Sequence, residues 1–466
     1  MPKHQALQDE YDLIILGAGC AGLACAIEAS DLGGRVLILE KRARPAGNIL
    51  FAGGAICAAR THLQEAQGIE EDVESFYQDL RAASRQRGDP DLTRVYAANS
   101  GKAIHWLSHA VGVQWAPIRE RLPPAGCRVH EVGGPLRPGG VQLFQDLLAA
   151  TIKRKILLVG KVKILELVGN LRDGISGVRV QLEADVREFQ ARGGVVLATG
   201  GFHANREMVG EYIGDWAARM PCRGSQVNTG ENITLGKAYG ARLVNMDQFH
   251  GGPIHGPTKA NPSSAVNYGI CVTPAGERYV DEGWTYVRIG KETARKGADN
   301  RAFIVLDEEA RRNPLVNDRF ERYRRAGAHI YEGENVAELA RKAGIGVEGL
   351  VKTVSEYNEA VRLKMAGDLV PPNTLEFPHP VGTPKFYAIP FRGGMTATFG
   401  GPLINVRAQV INNEDMIIPG LYAAGNAAGG LFYEDYIVGS QLGAAIVFGR
   451  IAAADACARG KSRQGR

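Results

Sequence analysis

The chain has 466 residues, too many for one compact core, so two domains are expected. Its 45% hydrophobic and 23% charged residues are the ordinary balance of a globular protein, and a net charge of +5 with no aromatic-interleaved basic strip argues against nucleic-acid binding. Seven cysteines at wide spacings without a C-x-x-C argue against zinc, iron–sulfur and c-type haem sites and for reduced thiols in a cytoplasmic protein. The N-terminal MPKHQALQDE lacks the apolar centre of a signal peptide, and no run of 18 apolar residues occurs, so no membrane span is predicted.

The first elements in chain order are the most informative. YDLIILGAGCAGLACAIEASDLGGRVLILEK predicts a strand at Leu13–Leu16, a glycine turn, a helix at Ala24–Ser30 and a second strand at Val36–Leu39 ending on Glu40. Gly17, Gly19 and Gly22 carry the G-x-G-x-x-G spacing. The first allows the tight turn, the second lets backbone approach a pyrophosphate, and the third lets helix pack close to strand. The helix N-terminus, with Cys20 and Ala21 in the glycine turn before it, offers N–H groups and a positive dipole end to phosphates. Glu40, followed by Lys41, stands where a carboxylate accepts the hydrogen bonds of an adenosine ribose. The unit alone does not separate FAD from NAD; its place at the N-terminal end of a long chain leans to FAD.

Beyond it, Gly47 and Asn48 through Ala55, with Gly53-Gly54, form a small-residue stretch able to wrap a ligand. Helical spacing covers Asp72–Gln86, Asp91–Ala110 and Gly139–Ile152, and Ile156–Val168 with Ile175–Leu182 read as strands of a small meander. Val195–Ala198 reads as a buried strand entering Thr199-Gly200-Gly201, a second close approach of backbone to ligand. From about Asn245 to Leu375 the pattern turns mixed, with helices near Val336–Ala343 and Val347–Leu363, and a proline cluster from Pro371 to Pro384 marks the return. Ile418–Gly425 is then a strand running into a glycine turn, Gly439–Ala453 a small-residue helix, and Arg459–Arg466 a frayed basic tail.

Four signatures thus stand in one order: GAGCAG at 17–22 with Glu40, ATGGF at 198–202, GERYVDE at 276–282, and PGLYAAGN with GSQLG at 419–426 and 439–443. Together they resemble the FAD-dependent fumarate reductase and 3-ketosteroid dehydrogenase superfamily over essentially the whole chain, and GGLFYEDYIVGSQLGAAIVFGR looks most like its tricarballylate dehydrogenase branch. The resemblance implies an α/β fold: a Rossmann-like FAD-binding domain assembled from both chain ends, residues 1–244 and 376–466, with an inserted α+β capping domain at 245–375. It implies FAD and hydride exchange at flavin N5. The family's histidine for covalent attachment has no counterpart in GNILFAGGAI, so FAD is expected to be noncovalent.

Carried over by position, Gly17, Gly19 and Gly22 match the pyrophosphate turn, Glu40 the ribose acid, Asn48 and Gly53-Gly54 the loop beside the flavin, and Gly200 the second dinucleotide contact. Gly425 and Asn426 match the ribityl contact, and Ser440, Gln441 and Leu442 a helix N-terminus aimed at the flavin pyrimidine edge, where a helix dipole stabilises the anionic reduced ring. The arginine–histidine carboxylate clamp of the fumarate reductases is absent. Tyr436 stands at the clamp arginine, Thr396 at or beside a clamp histidine, and Tyr286 at the proton-donating arginine; only His250 keeps a matching histidine. The ketosteroid dehydrogenases instead place a tyrosine base where Tyr286 stands, a ketone-binding tyrosine where Tyr436 stands, and a backbone N–H where Ser440 stands. The expected activity is therefore FAD-dependent dehydrogenation or reduction of a carbon–carbon bond beside a carbonyl or carboxyl group. Electrons would pass to or from an external quinone or carrier protein. The alternatives are a polycarboxylate enzyme, with Arg288 or Arg392 supplying the missing charge, and a flavin-binding subunit completed by a partner chain. Arg278 and Glu282 read as a structural ion pair, and Asp281 receives no role.

Overall fold

The structure is a computed structural model describing residues 7–121 and 124–464. Strand β1 (Glu10–Leu16) is fully buried from Leu13 on, as a strand covered on both faces must be. It turns at Gly17 into α1 (Cys20–Asp31) and returns through β2 (Val36–Leu39), parallel to β1 with Leu13 opposite Val36. Helix α2 (Pro90–Trp106) starts where Asp89 accepts the N–H groups of Asp91 and Leu92, with proline at its first residue, where no N–H is needed. Helix α3 (Gly139–Lys153) leads to β3 (Leu157–Val159), β4 (Val162–Asn170), β5 (Gly174–Leu182) and β6 (Asp185–Leu197). β6 is longer than its apolar end suggests because it works twice. Its polar first half pairs antiparallel with β5, and its apolar second half pairs parallel with β1, with Val195 opposite Ile14.

The chain divides into two compact units, and the second comprises residues 209–223 and 250–396. Its elements are β7 (Phe249–Ile254), β8 (Ile270–Val272), α4 (Tyr286–Lys296), β9 (Ala302–Asp307), β10 (Tyr331–Gly333), α5 (Val336–Ala343), α6 (Val347–Arg362) and β11 (Phe386–Thr398). The sheet order is β7-β11-β9-β8, with β10 also on β11. The expected boundary at 375 is thus about twenty residues early, and 209–223 also belongs here. The proline cluster resembles a linker only in composition. Asp281 accepts the Thr374 N–H and hydroxyl at 2.9 and 2.8 Å, Arg278 donates to Pro371 O at 2.8 Å, and β11 then pairs along the whole of β9.

Returning to the first unit, β12 (Gln409–Ile411) and β13 (Ile417–Ala423) complete its sheet in the order β12-β13-β6-β1-β2-β3, with β4 and β5 as an antiparallel flap off β6. β13 runs parallel to β6, with Leu421 opposite Val195, so strands from both ends of the chain lie in one sheet. Helix α7 (Ser440–Gln464) is long and apolar enough to cross a bilayer, yet 61% of its apolar 18-residue window is buried within the protein, and the helix packs on α1 and β6. The expected frayed tail is instead its last turns, because Arg459 donates to Gly193 O and Arg463 to Asp173 O; residues 465–466 lie outside the described residues.

Candidate functional site

Three of the sequence signatures converge in the first unit. Gly17 adopts φ +105°, and a Cβ there would lie 2.5 Å from Ala198 O, so the first turn and the ATGG turn touch through backbone. A Cβ on Gly22 would stand 2.0 Å from Gly17 O, which is the close helix–strand approach the spacing requires. Gly19 differs: a Cβ there would meet nothing within 4 Å. It is the uncapped N-cap of α1, and no acid occupies the first turn, where Cys20 and Ala21 are buried. This leaves an open, electropositive helix end, as a pyrophosphate needs. The signature at the other chain end arrives here too, since a Cβ on Gly425 would lie 3.0 Å from that of Ala21.

Glu40 is buried, with Oε2 accepting the Ala18 N–H at 3.0 Å and Oε1 the Arg42 N–H at 2.9 Å. Each oxygen retains a lone pair for a further donor such as a ribose hydroxyl. Lys41 is engaged within the protein, by Thr229 Oγ1 at 2.8 Å and Glu231 at 2.5 Å. Gly47 lies against Gly19, and Asn48 Oδ1 accepts the Ser225 N–H at 2.8 Å. Gly53 is open and Gly54 takes φ +83° against Gly139. Thr199 leads into Gly200, at φ +77°, which is closed from one side by Asn228.

A cleft lies against the start of α7, lined among others by Thr398, Phe399, Asn426, Phe432 and Gln441. Ser440 Oγ and Gln441 Nε2 are buried without a hydrogen-bond partner, and Leu442 is half-buried beside them. Buried polar atoms normally find partners, so Gln441 Nε2, on a residue lining the cleft at the positive end of a 25-residue helix, fits a polar, electron-accepting ring; the Ser440 hydroxyl instead faces Tyr96 and Cys57. One expectation fails: the Ser440 N–H donates to Ile437 O at 3.0 Å and is not available to a substrate carbonyl. The helix start turns on itself there, a local bond that no motif match reveals. Tyr436 sits edge-on to Phe399 and Phe432, each at 5.9 Å between ring centres, and its N–H donates to Asp435.

The second unit gathers a different set. Tyr286 is the first residue of α4, capped by Thr285, whose hydroxyl accepts the Arg288 N–H at 3.3 Å. Gly290, one turn on and on the same helix face, approaches Gly252 so closely that a Cβ would lie 2.4 Å from it. That contact lays the Tyr286 ring over Gly252 and 5.9 Å from the His250 ring, centre to centre. His250 is 7% exposed. Burial, with Arg223 and Lys291 nearby, holds its imidazole down at about 3, so it is neutral at neutral pH. Sequence reading missed Arg223 and Lys291: neither lies in a motif, and the fold brings them in from separate elements. Arg288 lies over the Trp284 ring at 3.4 Å, and Arg392 reaches Asp299 O at 3.5 Å. Arg278 and Glu282 form the expected ion pair, 6% and 0% exposed, and Asp281 ties its loop to Thr374.

The family described as FAD binding domain matches residues 12–434. The chain belongs to that family. It is thus an FAD-binding enzyme of a family of FAD-dependent oxidoreductases. The NADH:fumarate oxidoreductase of Klebsiella pneumoniae (strain 342) is 30% identical over 462 residues, 98% of this chain and 49% of that protein, so the chain spans about half the length of that relative. The open conformation of a flavocytochrome c3 fumarate reductase superposes with a TM-score of 0.81 at 26% identity, covering 97% of this chain and 79% of that one. A 3-ketosteroid-delta4-(5alpha)-dehydrogenase from Rhodococcus jostii RHA1 gives 0.79 at 26% identity, with 98% of both chains covered.

Proposed function

We propose that this FAD-binding chain adds or removes hydrogen across a carbon–carbon bond beside a carbonyl or carboxyl group, with Tyr286 as the proton-transferring residue. FAD, when bound, supplies the hydride chemistry. The observation that carries the reading is the placement of Tyr286 at a helix start with its ring beside a buried, neutral His250. Negative charge is stabilised at a helix N-terminus, which suits a phenolic oxygen that must hold and release a proton. Neutral imidazole offers one donor and one acceptor, enough to orient a carbonyl or carboxylate oxygen without a charge of its own. Tyr436 remains a substrate-orienting residue in this reading, whereas the Ser440 N–H takes no part.

The charge around His250 favours the carboxylate substrate over a neutral ketone. Arg223 and Lys291 both act on the buried imidazole, and a carboxylate brought among them gains from the same field. Electrons arrive from or leave to a carrier outside the chain. The test is the anaerobic flavin absorbance of the purified protein with tricarballylate and, separately, with a saturated cyclic ketone. Bleaching by tricarballylate supports the carboxylate reading, bleaching by the ketone alone replaces it with the carbonyl one, and bleaching by neither removes dehydrogenation of these two compounds while leaving the FAD site standing. Tyr286→Phe should slow the bleaching step by about 10²–10⁴-fold with FAD retained; an unchanged rate would remove the tyrosine from the chemistry.

A further inference from the structure

Three histidines of the first unit gather in a corner that the proposed chemistry does not use. His105 stands near the end of α2, and His109 lies in the π-helical turn Leu107–Val111 that continues it. Residues four apart on a helix are surface neighbours, and these two exposed rings lie 4.2 Å apart, centre to centre. His62 opens the short helix His62–Glu65. Its ring centre is 5.5 Å from that of His105 and 5.8 Å from that of His109. The chain just before His62 is fixed on α2. The Ala59 N–H donates to Ser100 Oγ at 3.2 Å, and a Cβ on Gly101 would lie 2.5 Å from Arg60 O.

The corner suits a cation. Neutral imidazole is the commonest protein ligand for transition metals, and histidines four apart present two nitrogens from one helix face. π-Helical turns are rare and often mark functional sites. The pair also sits in the last turns of a helical run from Pro90 to Val111, where unpaired carbonyls and the negative end of the dipole favour positive charge. His62 comes from a separate segment. Its Nδ1 is covered by protein, so Nε2 is the nitrogen it can offer. That atom lies 3.5 Å from the hydroxyl of Ser108, the residue before His109. The contact is long, and Ser108 already donates to Ile104 O at 3.0 Å and accepts from Trp115 Nε1 at 2.9 Å. Among the described residues no group of three histidine, cysteine or acidic side chains is arranged to hold a metal ion as it stands. The helix pair therefore carries the site. We propose that His105 and His109 bind a divalent cation of the zinc, nickel and copper class, and that His62 turns Nε2 toward it as the third ligand. The bound cation would clip the His62 segment to the end of the helical run.

The test uses the full FAD-loaded chain, free of any purification tag, titrated calorimetrically with Zn²⁺. One Zn²⁺ should bind per chain, and excess Mg²⁺, which prefers oxygen ligands, should not displace it. His105→Gln and His109→Gln should each raise the Zn²⁺ Kd about tenfold or more, and His62→Gln should raise it by a smaller factor. Zn²⁺ should raise the unfolding midpoint of the parent, as any ligand selective for the folded state does, and leave that of the His105→Gln, His109→Gln double variant unmoved. None of the three side chains is fully buried, so the variants should fold with the parental flavin content. A Kd within about twofold of the parent in both helix variants overturns the site, as does a parent that takes up no Zn²⁺. An unchanged Kd in His62→Gln overturns its place as third ligand.

Discussion

Around Gly17, Gly22 and Ala198 the first unit closes on itself through backbone, leaving no room for a side chain. Around His250 the second unit uses glycine in the opposite sense: Gly252 and Gly290 bring strand and helix together so that large side chains, Tyr286 and His250, meet above them. One unit presents N–H groups and a helix dipole, which bind an invariant cofactor and require only that atoms stay away. The other presents a phenol, an imidazole and two cations, the groups to which the proposed function assigns proton transfer and substrate discrimination. The first arrangement is written in glycine spacing and can be read from sequence. The second depends on which side chains a helix face delivers: Tyr286 and His250 were legible only through the family resemblance, and Arg223 and Lys291 not at all.

The largest expected effect separates two glycines of one turn. Gly22→Ala places a carbon 2.0 Å from Gly17 O and should prevent accumulation of folded, flavin-containing protein. Gly19→Ala, with nothing within 4 Å, should fold with a near-parental unfolding midpoint and lose FAD affinity. Equal loss of folding in both, read from soluble yield and the midpoint, would break the assignment of Gly19 to the ligand side.

Next comes the delivery of Tyr286. Gly290→Ala should move α4 away from Gly252 and lower turnover by about 10²-fold, as misplacement near 1 Å does. Flavin content should stay at the parental level, because the first unit is untouched. A variant with parental turnover would show that the close contact does not set the tyrosine's position.

The smallest effect tests whether stability in the second unit also rests on titrating side chains. Burial pushes the Asp307 carboxyl up, but His379 at 3.0 Å and the N–H groups of Ala310, Thr383 and Gly382 outweigh it and hold it at about 2 against an ordinary 3.8. That stability, about 2 kcal/mol, is present above 3.8 and lost as pH falls toward 2. Asp307 in turn raises His379 above its ordinary 6.5, so its share is complete below 6.5 and disappears as pH rises through the raised value. His379→Gln should therefore cost about 1 kcal/mol in urea unfolding near pH 5.5 and much less near pH 9. A penalty equal at both would mean the imidazole is held by packing.

The sequence by itself determined what short-range geometry can encode. Gly17, Gly19, Gly22 and Glu40 specified a phosphate-binding turn, because each role follows from a missing Cβ or a charge at a fixed offset. Apolar runs specified β1, β2 and the end of β6, because buried parallel strands tolerate nothing else. Only the tertiary structure decided the rest. The proline cluster near 371–384 belongs to the second unit because Asp281 and Arg278 hold it, not because of its composition. The basic end of the chain is helix because Arg459 and Arg463 find carbonyls across a sheet. The Ser440 N–H is consumed three residues away, and Arg223 and Lys291 acquire meaning only from His250, distant in sequence. A glycine's role is set by its own backbone, whereas that of a buried imidazole or a carbonyl-seeking arginine depends on partners that only the folded chain supplies.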